Sequence, residues 1–274
     1  MATLASATLD LARILGAVVE GAATGGSTTT LIDTNFPRIA PPDDTYNRGT
    51  IWLIACTQTA LNGTTAIITD WAQSTYTVTF ATLSKTITAG DTYALIDRDF
   101  PRDVLRRSVN MALQSLGGLT DEYDNASLVT VANQMAYTLP AGVYNVKRVD
   151  VATSSSSPYN YVTNYHWSEV DGKIVFDVGH EYGTAGYQIR LFYQVQPTEA
   201  TADTTSISNY YHPDLLKWTA AVHALQWKLG QNSLADGVPL IQSRLAYATQ
   251  MAEMMKQRYP IRNMPRDPKL SMWA

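Results

Sequence analysis

One cysteine stands in 274 residues. Cys56 alone cannot close a disulfide within the chain or furnish a cysteine-based zinc site. It lies in the apolar run Ile51-Trp52-Leu53-Ile54-Ala55-Cys56, where a buried core thiol is expected rather than a nucleophile. Charge is sparse as well. Asp, Glu, Lys and Arg make up 16% of the chain, against roughly 25% in soluble domains. Thr, Ser, Ala, Tyr and Asn take their place, which suits either a Thr-rich β protein or a chain packed against other chains. The net charge of −4 excludes a generic nucleic-acid binder, which needs a basic field to release counterions. No apolar run approaches the roughly 18 residues that span a bilayer. The first residues lack a basic stretch and are interrupted by Asp10, Arg13 and Glu20, so no secretory signal is expected.

Catalytic patterns are missing too. The four histidines are scattered. His180-Glu181 lacks the second histidine of a metalloprotease helix. His212 before Pro213 reads as a helix N-terminal residue, and His223 as a packing residue on an alanine-rich helix. Gly25-Gly26-Ser27-Thr28 has no following lysine, so it is no phosphate loop. No nucleophile elbow occurs. The best carboxylate pair for a glycosidase is Glu169 with Asp171, on one hairpin. The expectation is a chain that is not an enzyme and uses no metal or cofactor.

What is present is alternation of β-rich and helical stretches. Residues 3–19 read as a short helix with Leu4, Ala7, Leu11, Ile14, Leu15 and Val18 on one stripe. That stripe docks on its own chain or on a neighbouring subunit, and a Gly-rich linker to residue 26 follows. Residues 27–98 hold five or six short strands, as in a small barrel or sandwich. Asn62-Gly63 signals a two-residue hairpin there. Asp99–Gly118 forms a helix, with Asp99 placed to cap it and Gly117-Gly118 to end it. Leu105, Val109, Ala112, Leu113 and Leu116 share its apolar face.

Residues 121–198 are β again. A bulge is expected near Lys147-Arg148, where the alternation changes parity. Asp171-Gly172 marks a tight hairpin, and Tyr187, Ile189, Leu191, Tyr193 and Val195 alternate strictly. After a Thr/Ser/Asp linker over 199–209, helices at Leu215–Leu229, closed by Gly230, and at about 239–258 form an αα-hairpin. The helix at 99–118 is its natural partner. The fold class expected is α+β: a three-helix core with an inserted antiparallel β-sandwich domain, preceded by a small β-barrel or sandwich module and a short N-terminal helix. The divisions are 1–26, 27–98, 99–120 with 205–259, 121–198, and 260–274.

Two groups of cations remain. Arg102, Arg106 and Arg107 share one helix, as a solvated face, a lumen lining or an interface. The tail from Arg258 onward holds three prolines, four cationic residues and a penultimate tryptophan, which makes it an extended arm. Arg258, Tyr259, Arg262, Arg266, Lys269, Leu270, Met272 and Trp273 are its candidate partner-binding residues, aromatic and cationic side chains being common interface anchors.

Two stretches carry a family likeness. Gly26-Ser-Thr-Thr-Thr-Leu-Ile-Asp33, Tyr46-Asn-Arg-Gly49, Ile68-Thr-Asp-Trp71 and Ala89-Gly-Asp-Thr-Tyr93 resemble a β-module of tailed-phage structural proteins. Tyr137-Thr-Leu-Pro-Ala-Gly-Val143, Trp167, Asp171-Gly-Lys-Ile-Val-Phe176, Ala185-Gly-Tyr-Gln-Ile-Arg-Leu-Phe-Tyr193 and His212-Pro-Asp-Leu-Leu216 look like the head-to-tail connector, or adaptor, proteins of tailed bacteriophages. That second likeness covers roughly 99–259. It implies a virion protein of the neck or tail, assembled in the bacterial cytoplasm as a twelve-fold homo-oligomeric ring. Its partners would be the portal protein, tail or nozzle proteins and fibres, with genomic DNA passing through the lumen and no membrane. The alternatives are a peripheral decoration or fibre- and host-attachment protein, and a carbohydrate-active tail enzyme.

Overall fold

A computed structural model of the chain describes residues 2–36, 41–116, 119–141, 143, 145–179, 182–195, 199–207, 211–231 and 237–260, with the side chains of 119–127 and 194–195 outside that description. The chain divides into two compact units, Met1–Ser115 with Glu199–Pro260, and Leu116–Thr198. It is mixed α+β, with helices and antiparallel sheets.

The first unit begins with helix α1, Leu4–Ile14. Thr3 and Ser6 form a reciprocal capping box at its start, satisfying two of the orphan N–H groups there. The helix ends early because Gly16 takes a positive φ of 66°, the usual helix stop. The expected helix to residue 19 is therefore corrected: Val18–Ala22 is strand β1. The expected linker to residue 26 is corrected as well, since Gly25–Gly26 is strand β2. Strands β3 (Thr30–Ile32), β4 (Thr50–Ala55), β5 (Thr65–Ala72), β6 (Thr77–Phe80) and β7 (Thr92–Ile96) complete an antiparallel sheet in the order β1-β7-β4-β5-β6-β3-β2. The two ends of that order are joined by Ala23-Thr24. Ala23 donates to the Asp91 carbonyl on one side, and Thr24 to that of Ile32 on the other. One segment thus pairs with both edges and closes the sheet into a small barrel, which removes the open edges that invite aggregation.

Leu31, Ile51, Leu53, Ile68, Trp71, Val78, Phe80, Tyr93 and Leu95 fill its interior. Here the motif residues of the module meet. The Tyr93 hydroxyl donates to Asp33 at 2.7 Å, and Trp71 packs against Phe36 and Tyr46. Gly21 leaves the room for that hydrogen bond: a Cβ there would sit 2.6 Å from the Tyr93 hydroxyl. Asn62-Gly63 does not form the two-residue hairpin expected of it. A 3₁₀ turn at Thr59–Leu61 precedes it, and the Asn62 side chain accepts from the Cys56 N–H, so the pair closes a longer connection. Cys56 is partly rather than fully buried, packed on the edge of the core.

Helix α2, Arg102–Ser115, buries Leu105, Val109, Ala112 and Leu113 as its periodicity requires. Asp99 is not its cap; the carboxylate instead takes the Lys228 ammonium at 2.8 Å. Gly117-Gly118 lies outside the described residues. Helix α3, Pro213–Gln231, continues through Gly230, and helix α4 is Val238–Arg258. Helix α3 is central, packing against α2, α4 and α1. The three-helix core thus takes in α1 as a fourth member.

The second unit holds strands β8 (Leu119–Val129), β9 (Ala136–Thr138), β10 (Val146–Ala152), β11 (Tyr161–Asn164), β12 (Trp167–Val170), β13 (Lys173–Phe176) and β14 (Gln188–Val195). They form two antiparallel sheets, β11-β10-β14-β8 and β12-β13-β9. The sheets enclose Tyr137, Val146, Val149, Val151, Trp167, Ile174, Phe176, Ile189 and Leu191. The expected bulge is present as a register shift between Val146 and Arg148. The expected tight hairpin is present too, with Asp171 and Gly172 at φ of 48° and 69° between paired Val170 and Lys173. Both residues have the positive φ of a type I′ turn.

Candidate docking surface

Helix α4 has more apolar surface than its own chain covers. Of its 21 residues only Ala248, Ala252 and Met255 are buried. Its second stripe consists of Leu240, Arg244, Tyr247, Met251, Met254 and Arg258, at spacings of four, three, four, three and four. Leu240 is 61% exposed, Tyr247 56% and Met254 48%. Side chains at that spacing lie along one line of a helix and form the seam of a coiled coil.

A groove runs beside the first half of this stripe. It has a volume of about 500 Å³, with Trp218, Ala221 and Leu225 of α3 as its floor. Ile14, Leu15 and Gly16, at the end of α1, form one wall, and Ser243, Arg244, Tyr247 and Ala248 form the other. Tyr247 stands edge-on to Trp218 with ring centroids 5.6 Å apart. Ala221 in the floor and Ala248 in the wall keep the groove open, because a larger side chain at either position would fill it. The arrangement offers apolar area with a cationic rim, which is the chemistry of a binding face.

The C-terminal end of α4 is anchored. The Tyr259 ring stacks on His212 with centroids 3.6 Å apart, and His212 Nδ1 accepts the Asp214 N–H at the start of α3. Asp214 sits below the usual carboxylate range, chiefly through its hydrogen bond from Lys217, against a smaller opposing effect of burial. Arg258 lies over the Tyr259 ring. Of the expected arm, these two residues are described; Arg262, Arg266, Lys269, Leu270, Met272 and Trp273 lie outside the described residues.

The three arginines of α2 part ways. Arg102 is buried, with its guanidinium over the Trp52 ring at 4.4 Å and an ion pair to Asp203. Arg106 donates to the Thr201 carbonyl at 2.7 Å and pairs with Asp203 at 3.4 Å. Only Arg107 of the three is exposed. Two of the three cations therefore serve the fold, holding segment 199–207 against α2.

The remaining candidates are structural as well. Both oxygens of Glu169 accept backbone N–H groups, from Asn145 and Val146. His223 faces Ser115, and burial lowers its pKa. His180 lies outside the described residues. No group of three or more His, Cys, Asp or Glu among the described residues is placed to hold a metal ion.

Sequence periodicity assigns Tyr247, Met251 and Met254 to a widened core face, whereas Tyr247 and Met254 are exposed and Met251 between them is half-buried. The distinguishing signal was in the chain: Ala248 and Ala252 already complete the inner line, so a parallel line of larger residues has no place left inside.

A family model described as SU10 adaptor protein matches residues 78–268. The match begins within the barrel, so β1 to β5 lie before it. No curated protein matches the chain.

Proposed function

The chain belongs to the SU10 adaptor protein family, a family of phage structural adaptors rather than enzymes, and from that premise we propose that it is a ring-forming connector between portal and tail. Membership makes it a virion component that interacts with other phage proteins. Its work is binding. The observation that carries the finer reading is the exposed stripe of α4 beside the groove on α3. A chain that ended its folding there would leave this apolar surface in water, which patches on monomers of this kind rarely do.

In this reading the first unit forms the ring wall through heterologous contacts that close on themselves. The arm from Arg258 onward reaches the portal, and Arg107 faces a neighbour or the lumen. DNA passes without being gripped, as the acidic balance of the chain favours. The barrel before the matched region serves as a collar or a docking site for other tail components.

The test is capture of the full chain by its portal protein, followed by imaging of the particle neck. A ring between portal and tail, with capture lost on deletion of residues 260–274, is the expected result. Scattered copies on the capsid exterior with no portal contact would support the decoration reading instead.

A further inference from the structure

We propose that the exposed seam of α4 packs in parallel along the outward face of α2 in a second copy of this chain. The inference rests on the self-association just described and names the two surfaces that make it. The strict four-three spacing of Leu240, Arg244, Tyr247, Met251, Met254 and Arg258 fits a helix as occupant, because neither a strand nor an irregular segment presents knobs at that repeat. The same unit supplies such a helix. Helices α2 and α4 both pack on α3, and α2 exposes Asp103, Arg107, Met111 and Gln114 at spacings of four, four and three. Met111 is 44% exposed. One copy therefore carries both halves of a heterologous contact, and such a contact repeats from copy to copy until it closes.

The register follows from the chemistry. With Met111 set opposite Met251 in parallel, Arg107 meets the Tyr247 ring, Asp103 meets Arg244 and Gln114 meets Met254. These are a thioether pair, a cation on an aromatic face, an ion pair and a polar-on-apolar edge. Arg107 and Arg244 make no ion pair among the described residues. The reversed alignment sets Asp103 on Arg258, which already stacks on Tyr259, and leaves Arg107 on Met254. Pairing α4 with α4 in parallel sets Arg244 on Arg244 and Arg258 on Arg258, which like charge opposes.

The experiment uses the full chain with Cys56→Ser as background and two separate variants, Met111→Cys and Met251→Cys. Mixed and mildly oxidised at high concentration, they should form a disulfide-linked pair that neither variant forms alone. In parallel, Asp103→Arg or Arg244→Asp should each weaken self-association about tenfold, measured by sedimentation, and the double reversal should restore it. Asp103, Met111 and Arg244 are exposed and Met251 is half-buried, so each variant is expected to keep a folded monomer, which its melting curve checks. A Met251→Cys homodimer, or rescue of Asp103→Arg by Arg258→Asp, overturns the register. Oligomers without the mixed disulfide overturn the surfaces while leaving the ring reading intact. Absence of self-association with portal capture retained overturns this inference alone; loss of both removes the ring reading too.

Discussion

Asp91 is fully buried, with no cation beside it among the described residues. Burial by itself would raise its pKa, but the N–H groups of Thr88 and Thr57 and the Thr88 hydroxyl more than offset that and hold it below the ordinary value. The carboxylate thereby ties the loop after β4 to the turn before β7. A carboxyl whose folded pKa is depressed contributes stability that is present above its unfolded value of about 3.9 and is lost as pH falls through the folded value. Asp91→Asn should therefore flatten the acid limb of stability against pH, and Asp91→Ala should cost about 1–3 kcal/mol at neutral pH by stranding the two N–H groups. Denaturant melts across the acid range measure both. An unchanged acid limb in Asp91→Asn would mean that other carboxylates govern acid unfolding. Asp91 stood in the motif Ala89-Gly-Asp-Thr-Tyr93, but its partners could not be read there. Thr57 is 34 residues away, in a loop whose composition marks it only as polar. Cys56 next to it shows the same limit: an apolar run predicts a buried thiol, yet the strand ends one residue earlier and leaves it half-covered. Burial still pushes that thiol up to about 11, well away from nucleophilic use at neutral pH.

At the scale of elements, two stripes of apolar side chains at helical spacing meet different fates. Leu105 and Val109 on α2 are buried against the other helices, so Leu105→Asp should destabilise α3 and α4 along with α2. A buried unpaired charge is among the costliest single changes, typically several kcal/mol, and loss of far-UV helical signal would report it. Tyr247→Ser with Met254→Ser also removes apolar area, but on the exposed seam. The expected change in monomer stability is within about 0.5 kcal/mol per site, with loss of self-association. If the pair instead lowers the melting temperature as far as Leu105→Asp does, the seam is core and not interface. Periodicity located all four helices, because each has a line of apolar side chains that must be covered. It does not say what covers a second line, since a side chain facing a neighbour and one facing its own core obey the same spacing. Helix α1 shows the converse. Its apolar run continues past Ile14 into Val18 and Val19, and only the positive φ of Gly16 separates helix from strand.

On the scale of the whole molecule, the segment that reads as a linker is a fastening. The chain leaves the first unit after Ser115 and returns at Glu199. The Asn110 side chain bonds both the N–H and the carbonyl of Ala200. Arg106 holds the Thr201 carbonyl, Asp203 holds Arg102 and Arg106, and the carbonyls of Asp203 and Thr205 accept the N–H groups of Ala5 and Leu4 at the start of α1. Ile207 donates to the carbonyl of Ala2. Thr, Ser and Asp favour solvated linkers and side-chain capping alike, and the partners are about one hundred residues away on α2 and about two hundred on α1, so composition could not separate the two. The Arg102 side chain is 8% exposed and that of Asp203 25%, and Trp52 closes over the guanidinium. Removing one member of such a pair strands a buried charge at a cost of about 3–5 kcal/mol. Asp203→Ala is therefore expected to lower the melting transition of the first unit. The sandwich of the second unit has its own core, sharing no residue with that of the barrel, so calorimetry should resolve more than one transition and only one of them should move. Arg102→Met, which keeps contact with Trp52 but drops the charge, should cost less than Asp203→Ala if desolvated charge dominates the fastening. An equal cost would locate its strength in packing, and then Asp203→Asn should be nearly silent.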